Sequence, residues 1–424
     1  MIRFFIKGLL RDRQRSLLPI IVVSIGVMLC VLIQSWVTGI LNDIIDFNAK
    51  YATGHVKIMS KAYNEAKDQV PNDLALLESS RLLEELSLNY PDMDWAERIG
   101  FGGLMDSPDE YGETREQGPA FGMAIDLLSD NTGEIERLNL NNILVRGSLP
   151  TTPAEVLLSE EFSQKLDVNP GDQVTLITST MYGSMSITNF TVAGTIRFGA
   201  PVLDKGGIVA DISGIRTALD MQDAVSEILG YFPEDFYEDE YAKEFSLSYN
   251  SRFSDPSDDF SPLMVPLSQQ NDLLGGYLKM IDSMVSIVVS VFIIAMAIVL
   301  WNAGLLGGLR RYGEMGLRMA IGEHKSHIYR SMLNESLVIG IAGSILGTAI
   351  GLGLAKLLEQ GMDFSSMLQG STMMMSGIYR AQITPASYYI GFIPGIFATL
   401  LGTALAGLGI YRRQTANLFK ELQA

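Results

Sequence analysis

Four long runs of the chain contain no charged side chain. They cover residues 16–41, 283–309, 336–355 and 381–411 and have lengths of 26, 27, 20 and 31 residues. A helix of about 20 apolar residues spans the roughly 30 Å hydrocarbon core of a bilayer, so each run predicts a transmembrane helix. Buried core helices are the alternative, but they are usually shorter and carry polar interruptions; the third run is only just long enough to span. The pattern predicts a polytopic α-helical membrane protein with four transmembrane helices.

A different pattern occupies residues 42–272, where short apolar runs alternate with turn residues. This pattern predicts a large mixed α/β extracytoplasmic domain between the first and second spans. Residues 169–172 (NPGD) predict a tight turn, because proline fixes φ at the first corner and glycine permits a positive φ. The predicted strands are residues 55–59, 155–158, 173–177 and 187–196, and the predicted helices are residues 74–88, 160–166 and 221–229.

Charge is distributed as unevenly as hydrophobicity. The chain carries 31 basic and 48 acidic residues, a net charge of −17, and residues 42–272 hold 40 of the acids but only 15 of the bases. That segment has a charge balance of −25, whereas the remaining 193 residues have a balance of +8. Such segregation indicates separate environments rather than one globule. Because no basic face points outward, we expect no nucleic-acid partner.

The basic residues mark the cytoplasmic side of the membrane. Five precede the first span, five lie in the loop of residues 310–335, and three follow the fourth span, whereas residues 356–380 hold two bases and two acids. Both termini and the 310–335 loop are therefore predicted to be cytoplasmic, and residues 42–272 and 356–380 extracytoplasmic. Residues 1–15 interleave apolar and basic side chains, which predicts an amphipathic helix at the bilayer surface, and residues 412–424 form a cytoplasmic tail.

A cleavable signal peptide is the alternative interpretation of the first span. Its apolar run of 26 residues is too long for a typical h-region, so we predict a retained anchor.

The sequence offers few groups for catalysis. The single Cys30 excludes a disulfide scaffold and a cysteine-based metal site, and no G-x-x-x-x-G-K-[ST] phosphate-binding loop occurs. His324 and His327 could share a helix face, but Glu323 is their only nearby ligand. The acidic stretch of residues 231–259 does not match an EF-hand loop, and a solvated connector is the favoured interpretation. We therefore predict no catalytic residue, no metal site and no enzyme activity for this chain.

Two segments resemble a known family. Residues 4–18 (FFIKGLLRDRQRSLL) and residues 310–351 are similar to the start and the core of the MacB/LolC/LolE/FtsX superfamily of ABC-transporter permeases, also called type VII. Residues 155–172 (EVLLSEEFSQKLDVNPGD) resemble a recurring stretch of the family's external domain, and residues 411–422 resemble its closing segment but lack its common proline. The matching residues of the core motif are Arg310, Arg311, Glu314, Gly316, Arg318, Ala320, Gly322 and Glu335.

The resemblance implies a permease of the bacterial inner membrane that works with a separate cytoplasmic ABC ATPase dimer. ATP and Mg²⁺ would bind to the ATPase, and this chain would hold no cofactor. A second copy or a paralogue would complete a homodimer or heterodimer. The external domain would contain a porter-like subdomain built from its two ends and an inserted subdomain at about residues 95–200, and the second membrane helix would cover residues 273–309.

The resemblance also implies that the cytoplasmic loop forms a coupling helix on the ATPase. The alternative is that its arginines only enforce the topology. The candidate coupling residues are Arg310, Arg311, Glu314, Met315, Gly316, Leu317, Arg318, Gly322 and Glu323.

Small and polar residues predict how the spans pack. Gly343, Gly347 and Gly351 repeat every four residues on the third span, as Gly391 and Gly395 do on the fourth, and such spacing permits close helix approach in lipid. We predict that they pack the third and fourth spans within one chain. The first and second spans would form the dimer seam or a substrate cavity, with Gln34 the residue hardest to leave facing lipid. The candidate seam residues are Cys30, Gln34, Ser35, Thr38, Met284 and Val288.

The favoured function is lipoprotein release of the LolC/LolE type, on the grounds of chain length and the lack of a fused ATPase. The connection of residues 178–186 is too short for the hook with which LolC-like subunits recruit a carrier. A periplasmic carrier or an outer-membrane component is therefore kept only as a candidate partner. The alternatives are MacB-like export of a small molecule or peptide, and FtsX-like regulation of a cell-wall hydrolase. A membrane-anchored enzyme or receptor ranks below these.

Overall fold

The computed structural model describes residues 13–109, 111–129, 133–199, 201–233, 237–255, 257–270, 272–310, 317–319, 321–363 and 378–412. These residues form two compact units. A helical unit contains the described residues up to Leu41 and those from Leu278 onward, and an α/β unit contains the described residues between Asn42 and Tyr277. The predicted surface helix of residues 1–15, apart from its last three residues, and the tail after residue 412 lie outside the described residues.

Thirteen α-helices are described with bounds. They are α1 (Arg13–Asn48), α2 (Lys61–Ala66), α3 (Ser79–Asn89), α4 (Glu134–Arg137), α5 (Leu140–Ile143), α6 (Glu160–Lys165), α7 (Pro201–Asp204), α8 (Ile212–Leu219), α9 (Asp239–Phe253), α10 (Leu267–Gln270), α11 (Asp272–Arg310), α12 (Lys325–Leu358) and α13 (Phe392–Arg412). A π-helical turn at Ala49–Thr53 follows α1, and 3-10 turns lie at Lys67–Gln69, Asn72–Leu74 and Pro385–Tyr388.

The strands belong mainly to the α/β unit. They are β1 (Val56–Ser60), β2 (Leu76–Leu77), β3 (Asp94–Pro108), β4 (Thr114–Ile125), β5 (Leu144–Gly147), β6 (Glu155–Ser159), β7 (Gln173–Ser179), β8 (Met185–Ile196), β9 (Gly207–Asp211), β10 (Ala224–Val225), β11 (Glu227–Tyr231), β12 (Pro262–Pro266), β13 (Met362–Asp363) and β14 (Ile378–Tyr379).

Three helices of the described residues are long and apolar enough to cross a membrane: Leu17–Thr53, Lys325–Leu358 and Pro385–Gly407. Within α11, which runs from Asp272 to Arg310, the described apolar stretch is Ser286–Asn302. Three of the four predicted spans therefore match a helix that meets this criterion, the second predicted span lies within α11, and the count of four stays a prediction.

The start predicted for the fourth span, residues 381–411, is too early. Its α-helix starts at Phe392, because Thr384 and Pro385 open a 3-10 turn instead. The extended residues before that turn bond to neighbouring helices: the backbone N–H of Gln382 donates to the carbonyl of Ser35 at 2.9 Å. Non-helical backbone is tolerated in a membrane protein where it is packed against protein in this way.

The α/β unit is built on a ten-stranded sheet in the order β12-β1-β11-β3-β4-β9-β6-β8-β5, with β7 paired to β3 and β8. Strands from the two ends of the unit meet, since β1 pairs antiparallel with both β11 and β12. The 15-residue β3 pairs with β11 near its start and with β4 and β7 further along, so it links the strands on its two sides into one sheet.

Both faces of the central strands are covered. Val156 and Leu158 of β6 belong to one large apolar cluster, whereas Leu157 between them belongs to a second cluster with residues of α4 and α5 and their flanks. Adjacent side chains of a strand point to opposite faces, so this region of the sheet is buried on both sides. Such burial explains why β6 reads as a continuous apolar run rather than an alternating one.

Most local predictions in this unit are confirmed. Strands lie at all four predicted positions, α6 occupies the predicted short helix, and the turn of residues 169–172 forms with an Asp172 N–H to Asn169 carbonyl bond of 3.0 Å and φ of +101° at Gly171.

Two helix predictions need correction. The helix predicted over residues 74–88 begins only at Ser79, because Leu76–Leu77 pairs with β10. The helix predicted over residues 221–229 is wrong: this segment forms β10 and most of β11, where pairing on both sides with β1 and β3 overrides the helical spacing of its apolar residues.

Candidate functional site

The glycines of α12 let this helix approach α1 closely. A Cβ atom added at Gly347 would lie 2.7 Å from the Cβ atom of Val27, and one added at Gly351 would lie 3.0 Å from that of Val31. A Cβ atom added at Gly343 would likewise lie 2.7 Å from the Cβ atom of Val23. The predicted partner of this stripe was the fourth span, and the structure corrects it: each glycine opens a groove for one β-branched valine of α1.

The predicted packing of the third span on the fourth is nevertheless present, because α12 meets the fourth span at Gly391 and Gly395. A Cβ atom at Gly391 would lie 2.8 Å from Thr348 Oγ1, and Gly395 packs directly on Ser344. The helices α1, α11, α12 and α13 thus pack within one unit through small side chains, consistent with association driven by close packing.

A polar cluster joins α1 to the segment that precedes α13. The Ser387 hydroxyl donates to Gln34 Oε1 at 3.0 Å, the Ser35 hydroxyl donates to Ser387 Oγ at 3.3 Å, and Gln34 Nε2 donates to Thr38 Oγ1 at 3.3 Å. Gln34 and Ser35 are buried. The amide that was predicted to avoid lipid therefore finds its hydrogen-bond partners inside its own chain.

A pocket of about 310 Å³ lies between α1 and α11. Apart from the Gln34 amide, all of its lining side chains are apolar. It contains three of the six predicted seam residues, while Cys30 and Ser35 are fully buried in the bundle. The lining residues are Ile33, Gln34, Val37, Met284, Ile287, Val288 and Val289.

The predicted coupling segment is described only in part. Arg311, Glu314, Met315, Gly316 and the side chain of Arg310 lie outside the described residues.

Its described part is a helical turn at residues 317–319 that ends at Gly322. The Gly322 N–H donates to Met319 O at 3.1 Å and the Glu323 N–H to Arg318 O at 3.0 Å, and φ of Gly322 is +100°. This pair of bonds is a Schellman motif, which requires glycine at the positive-φ position.

The turn presents apolar surface to solvent. Leu317 is 62% and Ile321 79% exposed, and Arg318 is exposed between them. Glu323, another candidate coupling residue, contacts the Nδ1 atom of His327 at 2.6 Å across one turn at the start of α12. The site therefore combines apolar and basic groups on a short, sharply ended turn.

A second site that the sequence did not reveal lies where α1 ends in the α/β unit. Arg98 of β3 is only 4% exposed, and its guanidinium donates to the carbonyls of Lys50 at 2.6 Å and Tyr51 at 2.5 Å. The carboxylate of Glu134 accepts two further bonds from it, at 2.9 and 3.1 Å. Burial lowers the pKa of Arg98. Nothing in the surrounding residues 94–100 (DWAERIG) distinguishes this arginine from a surface residue of a strand.

The same end of α1 is tied to the segment that leads into α11. The buried Gln270 amide donates from Nε2 to the carbonyls of Thr53 and Val265, both at 3.0 Å. Gly54, with φ of +60°, closes the helix by donating its N–H to Ala49 O at 2.8 Å. Within the α/β unit, the π-helical turn that ends α1 and the segment of residues 265–270 are therefore held together by a buried side chain.

Comparison with known proteins gives two matching family models. The MacB-like periplasmic core domain matches residues 16–234, about half of the chain, and the FtsX-like permease C-terminal domain matches residues 286–415.

Curated relatives share shorter segments. A macrolide export ATP-binding/permease protein MacB from Bdellovibrio bacteriovorus is 25% identical over 131 residues, which cover 28% of this chain and 20% of that protein. The protein of the same name from Hyphomonas neptunium is 41% identical over 59 residues, 14% of this chain and 9% of that protein. The matched segment thus spans about a fifth of the relative's length or less.

Among solved structures, the periplasmic region of MacB from Actinobacillus actinomycetemcomitans aligns with 55% of this chain and 95% of its own, at 13% identity and a TM-score of 0.36.

Proposed function

Because the chain belongs to the MacB/LolC/FtsX (type VII) superfamily of ABC-transporter permeases, we propose that it couples ATP hydrolysis on a separate ATPase dimer to movements of its periplasmic unit. It is an inner-membrane protein, and its two matched segments are permease domains without a catalytic domain. The ATPase supplies the ATP and Mg²⁺ sites, and a second permease, either a copy or a paralogue, completes the assembly.

The observation that carries this proposal is the exposed turn at residues 317–319. Apolar side chains at Leu317 and Ile321 flank a cation at Arg318, and Gly322 ends the turn directly before α12. Apolar groups supply the affinity of a protein interface and arginine is enriched there. A force applied to this turn passes into α12, which packs on α1 through its glycines.

The test is co-purification of the ATPase from native membranes. We expect the double variant Arg311→Glu, Arg318→Glu to lose the ATPase and its coupled activity, because two cations become anions at the contact. Arg115→Glu is the matched control, since Arg115 is an exposed arginine of β4 in the α/β unit. Unchanged association and activity in the double variant would mean that the arginines only set the topology.

For the substrate, we propose a lipoprotein whose acyl chains enter the pocket between α1 and α11 from the outer leaflet. The apolar lining and the volume of about 310 Å³ support this, since ligand pockets begin at about 300 Å³. Export of a small molecule or peptide is the second candidate function, because the curated relatives are named macrolide exporters.

A photo-crosslinking amino acid at Ile287 would separate these candidates. Ile287 lines the pocket and is 62% exposed, so it can carry the probe without disturbing the bundle. In cells fed an alkyne-labelled palmitate, a crosslinked acylated protein would support lipoprotein release. ATPase activity stimulated by a macrolide, without an acylated crosslink, would support export. A crosslink to neither, with a cell-wall hydrolase retained in the purified complex, would support the FtsX-like regulator.

A further inference from the structure

We propose that Arg98 is the positioning residue of a three-way joint that fixes the end of α1 both to the sheet and to the short helix α4. Its guanidinium lies on β3 and donates to the last carbonyls of the helix, those of Lys50 and Tyr51. Carbonyls at a helix C-terminus have no partner within the helix and carry its negative dipole end, so a buried cation satisfies them and is itself stabilised.

The third side of the joint is α4. The Glu134 carboxylate, with its side chain 3% exposed, accepts from Arg98 and also pairs with Arg137 one helical turn later. Arg137 pairs in turn with Asp94 at the start of β3 and lies 4.0 Å from the centroid of the Tyr231 ring on β11. The two arginines and Glu134 are buried, and the largely exposed Asp94 supplies the second negative charge that balances the cluster.

This arrangement differs from ordinary core packing because its contacts are directional. The planar guanidinium reaches two backbone carbonyls and one carboxylate at once, and it loses these bonds if any of the three elements turns. An apolar contact would permit sliding. Arg98 therefore holds the orientation of the helix end relative to the sheet and to α4, and not merely its position.

The mechanical consequence rests on the proposed function. Since α1 is one continuous helix from Arg13 to Asn48 and the π-helical turn extends it to Thr53, a rotation of α1 would move α4 together with its own end. The joint itself does not depend on the ATPase, so it can be tested alone.

The test measures distances between spin labels in the full chain reconstituted in nanodiscs. Ala52→Cys and Asn141→Cys place labels across the joint, on the helix end and on α5 directly after α4, and both sites are exposed. Leu88→Cys and Glu116→Cys, on α3 and β4, form a reference pair that does not cross it. Cys30 is fully buried and should not take a label.

We expect Arg98→Lys to broaden the distance distribution of the joint pair at least twofold and to leave the reference pair unchanged. A lysine ammonium keeps the charge but lacks the fork that spans three acceptors. Arg115→Lys, the same replacement at an exposed arginine, should change neither pair. If Arg98→Lys does not fold, Glu134→Gln is the second variant. We expect it to broaden the distance distribution of the joint pair as well, because it removes the charged acceptor and retains the arginine.

Two outcomes would contradict the proposed joint. One is an unchanged distance distribution of the joint pair in a folded variant. The other is equal broadening of the distributions of both pairs, which would indicate general loosening of the unit. Hydrogen exchange gives an independent readout, with amides of residues 49–54 expected to exchange about tenfold faster in the variant while those of β7 and β8 stay protected. Failure of the proposed function looks different. The joint pair would then still be narrow, but the ATPase would not co-purify with the chain.

Discussion

At the residue scale, burial decides what a polar side chain can do in the α/β unit. His55 follows the end of α1, is 7% exposed and stacks on Phe232, with 5.4 Å between ring centroids. Its Nδ1 atom accepts the Phe232 N–H at 3.0 Å, which requires the other nitrogen to carry the proton of a neutral ring. Burial is the main cause that lowers the pKa of His55 to about 4; Lys50 lowers it further and Asp46 opposes this.

The neutral His55 makes the stability of the α/β unit dependent on pH. The unfolded chain binds a proton near pH 6.5 and the folded one only near pH 4. The free energy of unfolding therefore keeps its full value above pH 6.5 and falls as the pH drops towards 4, by about 3 kcal/mol in total. Urea unfolding of the native chain and of His55→Gln at pH 7.5 and 4.5 measures this. Equal losses in both proteins would assign the acid sensitivity to other groups.

At the element scale, the pairing of long helices depends on where small residues fall on each face. Three glycines at spacing four predicted a close helix contact, and the structure contains one, but the sequence could not identify α1 as the partner. Several faces could have received that stripe, and the valines at positions 23, 27 and 31 look the same as lipid-facing residues. The partner is decided by three-dimensional packing, which the spacing does not encode.

Two glycines of α12 test this packing with the same chemical change. Gly347→Ala would place its Cβ atom 2.7 Å from that of Val27, whereas nothing lies within 4 Å of a Cβ atom at the exposed Gly353. We expect Gly347→Ala to destabilise the bundle by about 1–3 kcal/mol through overpacking. Gly353→Ala should leave the stability unchanged or raise it by up to about 1 kcal/mol, since alanine favours the helix. Thermal unfolding in detergent measures both, and similar melting temperatures would refute the contact.

Predictability also differed between elements of the α/β unit. The turn of residues 169–172 and the strands around it were predictable because proline, glycine and alternation act locally. Residues 221–229 were not, because β11 lies between two other strands and both of its faces are buried, so its apolar residues show no strand period. The joint at Arg98 could not be predicted either, because the partners of Arg98 lie 36 to 48 residues away in the sequence and beyond.

At the scale of the whole molecule, charge segregation and family membership agree. The segment with a balance of −25 forms the α/β unit, and the family places this unit in the periplasm. The acidity therefore describes where the segment folds and says little about the substrate. The orientation of the termini remains a prediction from the basic residues that flank the spans.

The buried single cysteine makes that orientation measurable. Cys30 is fully buried in the helical unit, so a maleimide should react only with an introduced cysteine, and the unsubstituted chain is the control. Leu247→Cys, at a 70% exposed position of α9, should react with a membrane-impermeant maleimide in intact spheroplasts. Arg318→Cys should react only after the membrane is permeabilised, because the proposed function requires the turn of residues 317–319 to face the compartment that contains ATP. Labelling of Arg318→Cys in intact spheroplasts would invert the topology and separate the coupling turn from any cytoplasmic ATPase, and the proposed function would fail with it.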